Sequence, residues 1–341
     1  MSDSVRLDIA AAAALATEAL IASRTSRENA APTARALVAA EVDGQPGHGL
    51  ARVPTYAIQS RAGKVDGFAR ASAERIAPAA LRVDGHLGFA YPAIDLAVSQ
   101  LVPLARANGI AVASIFHSHH FGQAGVHAER LAREGLIALV FGNTPKAMAF
   151  WGGRSPMLGT NPLAFAAPLP AGAAPPLVID LALTVAARAK IVAAQKAGKR
   201  IPADWAIDRD GRPTTDPAAA LAGTLLPIGG AKGGALALMI EILAAALTGS
   251  SFGWEASSMF DDKDGPPNMG HLFIALDPQR LSGGAFDPRM ATLLEAIAHE
   301  PEVRLPGSRR IALRERAARE GVAIPAALHA EIRSLIATRP P

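Results

Sequence analysis

The sequence predicts an α/β protein in which a central sheet-forming segment is inserted into a helical unit built from both chain ends. From about residue 80 onward, short apolar runs alternate with helical patterns, which is the grammar of an α/β domain. The stretch at the N-terminus is helical, and after Pro278 the chain becomes charged and helical again. The two ends are therefore expected to pack together, with residues 1–78 and 280–341 as one unit and residues 79–279 as the other. A length of 341 residues suits about two domains on a prior of roughly 150 residues each. Half of the residues are hydrophobic, so a large core can form without staples.

Taken in order, residues 7–41 read as two helices, with Ser26 capping the second and Leu37, Val38 and Val42 on its apolar face. The run Asp43-Gly-Gln-Pro-Gly-His-Gly49 breaks that pattern, and a short helix follows from Ala51 to Ala62. Residues 93–108 are helical, 110–116 a buried strand, 123–135 helical and 136–141 a strand. Leu177-Val-Ile-Asp180 is another buried strand, and 182–197 another helix. Residues 199–232 are loop-rich, with Pro202, Pro213, Pro217 and Pro227, before a helix at 233–248 and a strand at 272–276. The longest apolar stretch, Gly233 to Trp254, carries Glu241 near its centre and several glycines, so it reads as a buried helix and not a membrane span. The first 21 residues lack a basic n-region and are broken by Asp3, Asp8 and Glu18, which makes them an amphipathic helix and not a signal peptide.

Composition excludes several classes. With no cysteine, disulfide and thiolate chemistry are out, and a zinc site would need His and carboxylate alone. A reducing cytoplasm is compatible with this, and the cytoplasm is the expected location. The net charge of +4 comes from Lys and Arg spread along the chain, with no basic block interleaved with aromatics, so nucleic acid is not the expected partner.

The most informative segment is His117-Ser-His-His-Phe-Gly-Gln-Ala-Gly-Val-His127, which follows a predicted strand. Strand ends that open into polar, glycine-containing turns are where open α/β proteins place their chemistry. His120 suits a proton relay or a cofactor contact. A metal reading would recruit His117, His119, His120 and His127, but adjacent strand residues point to opposite faces and the four would not converge. A second constellation is Gly47-His48-Gly49-Leu-Ala-Arg52 with Tyr56 beyond it. Arg52 and Tyr56 lie four apart on one helix face, next to the histidine. Such a trio suits a small carboxylate, gripped by Arg52 while His48 exchanges a proton with the reacting atom. A loop histidine beside a surface arginine is the plainer alternative. Asn143-Thr144 and the glycine-rich run from Gly152 to Pro162 can turn backbone N–H groups toward a ligand. Pro227-Ile-Gly-Gly-Ala-Lys-Gly-Gly234 leads into a helix and offers a phosphate site through Gly229 and Lys232, or simply close helix packing. No Gly-x-Gly-x-x-Gly follows a predicted strand, so a Rossmann site is unsupported. Asp261-Asp-Lys-Asp-Gly265 fails as a calcium loop at Phe260 and His271.

These pieces, in this order, resemble the malate/L-lactate dehydrogenase type-2 family, which also includes ureidoglycolate, sulfolactate and diketogulonate-type enzymes and the Δ1-piperideine-2-carboxylate/Δ1-pyrroline-2-carboxylate reductases. The resemblance spans nearly the whole chain. It rests on His48-Gly-x-x-Arg52, His120-Phe-Gly-x-Ala-Gly125, Gly159-Thr-Asn-Pro162, Asp180, Ile201-Pro-x-x-Trp205, Pro213-Thr-Thr-Asp-Pro217 and Gly229-Gly-x-Lys-Gly233. It implies hydride transfer between NAD(P)H and a small 2-oxo or cyclic 2-imino carboxylate. It implies a non-Rossmann nucleotide-binding fold on a central mixed sheet, and a homodimer with the active site near its interface. By analogy, His48 and His120 transfer the proton, and Arg52 and Thr160 hold the substrate carboxylate. His120, Phe121, Gly122, Gln123, Ala124, Thr144, Val178, Ile179, Asp180, Lys232 and the Pro306-Gly307-Ser308 turn line the cofactor. That cofactor is NAD or NADP, with NADPH ahead; Arg154, Arg309 and Arg310 can each meet a 2′-phosphate.

The chain departs from the family pattern at Gly47, where many members have a serine that would orient the histidine, and at Leu183 and Thr184 of Asp180-Leu-Ala-Leu-Thr184. Lys190 stands where the imine reductases carry an aspartate, which points to hydroxy acids, whereas the His-Ser-His-His-Phe-Gly form is similar to the imine reductases. Two alternatives stay open: a metal-dependent hydrolase or lyase built on His117, His119 and His120, and a catalytically inactive NAD(P)-binding homologue.

Overall fold

The structure, a computed structural model, describes residues 3–170 and 175–338. The chain begins with β1 (Ser4–Leu7), α1 (Ile9–Ile21) and α2 (Arg27–Val42). Asp8 and Ser26 cap these helices by accepting the N–H groups of Ala11 and Asn29. Two 3-10 turns, Pro46–His48 and Leu50–Arg52, lead into α3 (Val53–Arg61). The central segment follows as β2 (Ser72–Ala77), β3 (Ala80–Asp84), α4 (Ala90–Asn108), β4 (Ile110–Ser118), α5 (Ala124–Arg133), β5 (Ile137–Gly142), β6 (Leu163–Ala167) and β7 (Leu177–Leu181). A small satellite holds α6 (Arg188–Lys196), β8 (Ala206–Ile207), α7 (Pro217–Ala222) and β9 (Thr224–Leu225). Then come α8 (Ala231–Glu241), β10 (Met269–Leu276), α9 (Pro278–Leu281), α10 (Phe286–Ala298), α11 (Ser308–Glu320), β11 (Val322–Pro325) and α12 (Ala326–Ala337).

The main sheet has seven strands in the order β2-β3-β4-β10-β5-β6-β7. Only β3 and β4 run parallel; every other neighbouring pair is antiparallel. A doubly wound nucleotide fold has a mostly parallel sheet, so the mixed order agrees with the missing glycine fingerprint. Each face of the sheet is covered. Ile94 and Leu101 of α4 and Leu131 of α5 pack with Ile115, Val140 and Phe273 on one side. On the other, Ile240 of α8 and Ala244 after it pack with Phe141, Leu272, Met148 and Leu158. The neighbours Leu272 and Phe273 thus serve opposite cores, as strand alternation requires.

The chain ends meet. β1 and β11 pair antiparallel, from Ser4 opposite Pro325 to Leu7 opposite Val322. Leu20, Leu37, Tyr56, Ile324 and Ile332 share a second core that joins α1, α2, α3 and α12. The α/β segment is thus inserted into a helical unit made by both ends.

Some elements differ from expectation. The β2–β3 hairpin, β6 and the β8–β9 pair escape the sequence reading, because Ser72–Ala77 is polar and mostly exposed and Leu163–Ala167 is short and alanine-rich. The helix expected at 182–197 starts only at Arg188, since Leu183 and Thr184 are drawn into backbone bonds with Thr160, Pro227 and Ile228. The expected buried helix at 233–248 is α8 followed by a π turn at Ile242–Ala246, and it is half-buried: Leu236, Leu238, Met239, Ile242 and Leu247 face outward. Its sequence is apolar all round, so it carries no periodic signal separating the two faces. Among the described residues no helix is long and apolar enough to cross a membrane.

Candidate active site

His48 ends one tight turn and Arg52 the next, and α3 continues directly from Val53. Arg52 is thereby held beside His48, its Nε donating to the Gly47 carbonyl at 2.8 Å. The Phe260 ring lies 4.6 Å from the guanidinium carbon, and no carboxylate pairs with Arg52 among the described residues. Gly49 lets the chain pass close to Glu41, and a Cβ there would push on the carboxylate that accepts the Leu50 N–H. At Gly47 a Cβ would meet nothing within 4 Å. The absent serine is therefore not a steric demand of this loop.

His120 comes from the turn after β4 and reaches the same place. Its ring stacks on His48 with centroids 5.3 Å apart and planes 17° apart. Its Nδ1 lies 2.6 Å from Tyr56 Oη, which is also 3.2 Å from Tyr91 Oη. Tyr56 is fully buried, so its hydroxyl contacts His120 and Tyr91. Burial, then the Arg52 charge, holds His48 down at about 4 and His120 well below the ordinary histidine value. Burial pushes Tyr56 up to about 12 and Tyr91 higher than an ordinary phenol. At neutral pH the cluster is therefore two neutral imidazoles and two neutral phenols beside one cation.

The third and fourth motifs are joined to each other through the backbone. Thr144 Oγ1 accepts the Thr160 N–H at 2.8 Å and lies 3.3 Å from Thr160 Oγ1. The Thr160 carbonyl accepts the Leu183 N–H, and the Leu183 carbonyl accepts the Ile228 N–H of the Pro227–Gly230 loop. Beneath them Glu241 is buried and ties three loops together. It accepts Asn161 Nδ2 at 2.8 Å, the Gly253 N–H at 2.6 Å and Asn143 Nδ2 at 3.4 Å.

The predicted cofactor-lining residues fall into two groups. Asp180 accepts the Gly125 N–H at 2.9 Å, and its carboxyl is pushed up by burial. Gly307 (φ +86) stands against Val178 and Arg310, where a Cβ would lie 2.8 Å from the guanidinium. Val178, Ile179, Asp180 and the Pro306–Ser308 turn are thus neighbours across β7 and α11. Gly229 and Lys232 sit instead at the start of α8, near Trp151. That helix begins without a side-chain cap, so its first-turn N–H groups and the exposed Lys232 fit a phosphate. In the His120 turn, Phe121 packs on His271 and Gln123 donates to Asp43, so those side chains support the turn. Gly122 (φ +71) is needed because a Cβ would lie 2.7 Å from Tyr91 Oη.

The histidines of the metal reading face different partners. His117 is on Asp84 at 3.1 Å, His119 is edge-on to Tyr56 and Phe89, and His120 is on Tyr56. The His127 Nε2–H donates to the Phe121 carbonyl at 2.7 Å. The sequence reading missed Tyr91 and the network role of Glu241. It also missed the Arg314 clamp on Asp43 and Glu129, which ties α11 to α2 and α5.

A pair of stacked imidazoles with a guanidinium beside them that no carboxylate pairs with among the described residues can move a proton next to a bound anion. The chain belongs to the malate/L-lactate dehydrogenase family, whose model matches residues 7–333. It is 49% identical over 325 residues to the (2R)-3-sulfolactate dehydrogenase (NADP(+)) of Chromohalobacter salexigens, covering 95% of this chain and 96% of that one. It is 40% identical over 338 residues to the Δ1-pyrroline-2-carboxylate reductase of Ancylobacter novellus, covering 98% of each. Among solved structures, the Δ1-piperideine-2-carboxylate reductase of Pseudomonas syringae pv. tomato matches with a TM-score of 0.91 at 36% identity, covering 97% of this chain and 99% of that one.

Proposed function

We propose that this chain is an NADP(H)-dependent oxidoreductase that moves a hydride between the nicotinamide and C2 of a small 2-oxo or 2-hydroxy acid. The observation that carries the reading is the His48–His120 stack at 5.3 Å with Arg52 beside it, which no carboxylate pairs with among the described residues. The NADP(+)-dependent sulfolactate relative at 49% identity supports both the cofactor and the substrate class. When bound, the nicotinamide supplies or takes the hydride. Arg52 and Thr160 fix the substrate carboxylate, which aims C2 at the hydride. Burial is the larger cause of the low histidine values, and a carboxylate on Arg52 would offset the smaller part that comes from its charge. The His48–His120 pair then handles the proton that is exchanged with the substrate oxygen. The uncovered apolar face of α8 supports a homodimer, in which Leu236, Met239 and Ile242 would pack on a second copy.

A second reading, reduction of a cyclic 2-imino carboxylate, is favoured by the pyrroline-2-carboxylate reductase relative at 40% identity. The test is loss of NADPH absorbance with 3-sulfopyruvate, oxaloacetate, pyruvate, Δ1-pyrroline-2-carboxylate and Δ1-piperideine-2-carboxylate. The first reading expects the oxo acids to lead the cyclic imines by at least about tenfold in kcat/KM, a gap of roughly 1.4 kcal/mol. The reverse order establishes the second reading. Binding of NADPH with no turnover across the panel overturns both.

A further inference from the structure

Tyr56 and Tyr91 are a buried phenol pair that hydride chemistry alone does not call for. We propose that they lock His120 as its Nε2–H tautomer, making it a neutral hydrogen-bond donor to the substrate heteroatom and leaving His48 as the group that carries the proton. The argument is one of donor accounting. Tyr91 Oη has one hydrogen-bond partner among the described residues, Tyr56 Oη at 3.2 Å, and both rings are buried. Tyr56 Oη has one further partner, His120 Nδ1 at 2.6 Å. If Tyr91 donates to Tyr56 and Tyr56 donates to Nδ1, each hydroxyl hydrogen is used and Nδ1 offers its lone pair. The proton of the neutral ring then sits on Nε2, which makes no hydrogen bond among the described residues. If His120 instead donates from Nδ1, Tyr56 must donate to Tyr91, and the Tyr91 hydroxyl hydrogen is stranded in the core. Leaving a buried donor unmade disfavours that arrangement by roughly tenfold or more. The short contact at Nδ1 also fixes the ring plane that stacks on His48.

His48 has the opposite character. Its Nδ1 is buried with no hydrogen-bond partner, and Gly47 supplies no side chain to orient it. No hydrogen bond among the described residues fixes its tautomer, so His48 can pass a proton without turning a partner around, whereas protonating His120 at Nδ1 requires both phenols to turn around. Tyr56 is on this account a positioning residue that acts through His120, and Tyr91 supports it.

The assignment of roles rests on the proposed function, but the tautomer does not, and the test separates the two. In uniformly 15N-histidine-labelled protein, with the His120 ring signals identified by His120→Gln, long-range proton–nitrogen correlation reports which nitrogen is protonated. The expected result is an Nε2–H ring for His120, retained in Tyr91→Phe and replaced by a mixture of tautomers in Tyr56→Phe. An Nδ1–H ring in the unmodified protein, or unchanged His120 signals in Tyr56→Phe, overturns the lock. Kinetics give the second arm. Tyr56→Phe is expected to lower kcat about tenfold with KM for the oxo acid within twofold, and Tyr91→Phe to lower kcat by two- to threefold. A rise in KM with kcat unchanged would make Tyr56 a substrate contact and overturn the positioning role. A changed tautomer with unchanged kinetics would support the lock and remove His120 from the chemistry.

Discussion

Arg52 shows how one side chain sets the character of a site. Its Nε is committed to the Gly47 carbonyl, so the remaining N–H groups of the fork are presented in a fixed direction. Arg52→Lys keeps the charge and loses the fork, so it is not a conservative change. KM for the oxo acid should rise by about ten- to hundredfold, as expected for loss of roughly 1.4–3 kcal/mol of charge-assisted bonding. NADPH affinity, followed by fluorescence titration, should stay within twofold, and a parallel loss of NADPH affinity would place Arg52 on the cofactor. His48 and His120 stood out in the sequence because histidines stand beside glycines at predicted element ends, Arg52 by its spacing from His48 and Tyr56, and Thr160 through the family resemblance alone. Tyr91 was not. Its role comes from a contact across 35 residues to Tyr56, and tyrosine in a helix reads as core.

At the scale of elements, α8 is a tether as much as a packing unit. Glu241 at its end reaches Asn143 and Asn161, 98 and 80 residues away, and the Gly253 N–H. No local spacing reveals such a network, and in the sequence Glu241 argued only against a membrane span. Glu241→Ala would leave the Gly253 N–H unpaired and take one acceptor from each of Asn143 and Asn161, which keep the Ser251 and Ala237 carbonyls, with an expected cost of about 2–4 kcal/mol. Urea unfolding should show that loss as a lower midpoint at unchanged slope. Because Asn143 and Asn161 adjoin Thr144 and Thr160, kcat should fall as well. A stable variant with full activity would show that the loops hold themselves. The same element explains why half of its burial was misread. A helix that is apolar on both faces gives no period, so only the packed structure separates Ile240 and Ala244 from the exposed Leu236 and Met239.

At the scale of the molecule, the inserted architecture was legible from the change of grammar near residue 80 and its reversal after Pro278. The closure of the ends by β1 and β11 was not, since four-residue strands carry little pattern. The whole fold also shares an electrostatic property. Four buried histidines, His119, His120, His127 and His271, and the half-buried His48 are held below their ordinary value, chiefly by loss of solvent around the ring. The unfolded chain binds protons at these positions below about pH 6.5, whereas the folded chain does not until the pH approaches about 4. Stability is therefore complete above about pH 6.5 and erodes as the pH falls, by up to about 1.4 kcal/mol per pH unit for each ring. Glu41, Asp180 and Glu241, whose values are raised by burial, offset part of this at the acid end. The melting temperature should drop by on the order of 10 °C between pH 7 and pH 5. A flat or rising profile would mean that these rings are charged in the folded protein.

The most direct measurement of the central claim follows the hydride itself. NADPH deuterated at the reactive nicotinamide carbon is mixed with the protein and the preferred oxo acid, and the product is read by mass spectrometry. The account predicts one deuterium at C2 of the hydroxy acid, with the rate but not the label position affected by His48→Gln. Product that forms without deuterium at C2, or NADPH that is consumed with no labelled acid, would contradict it.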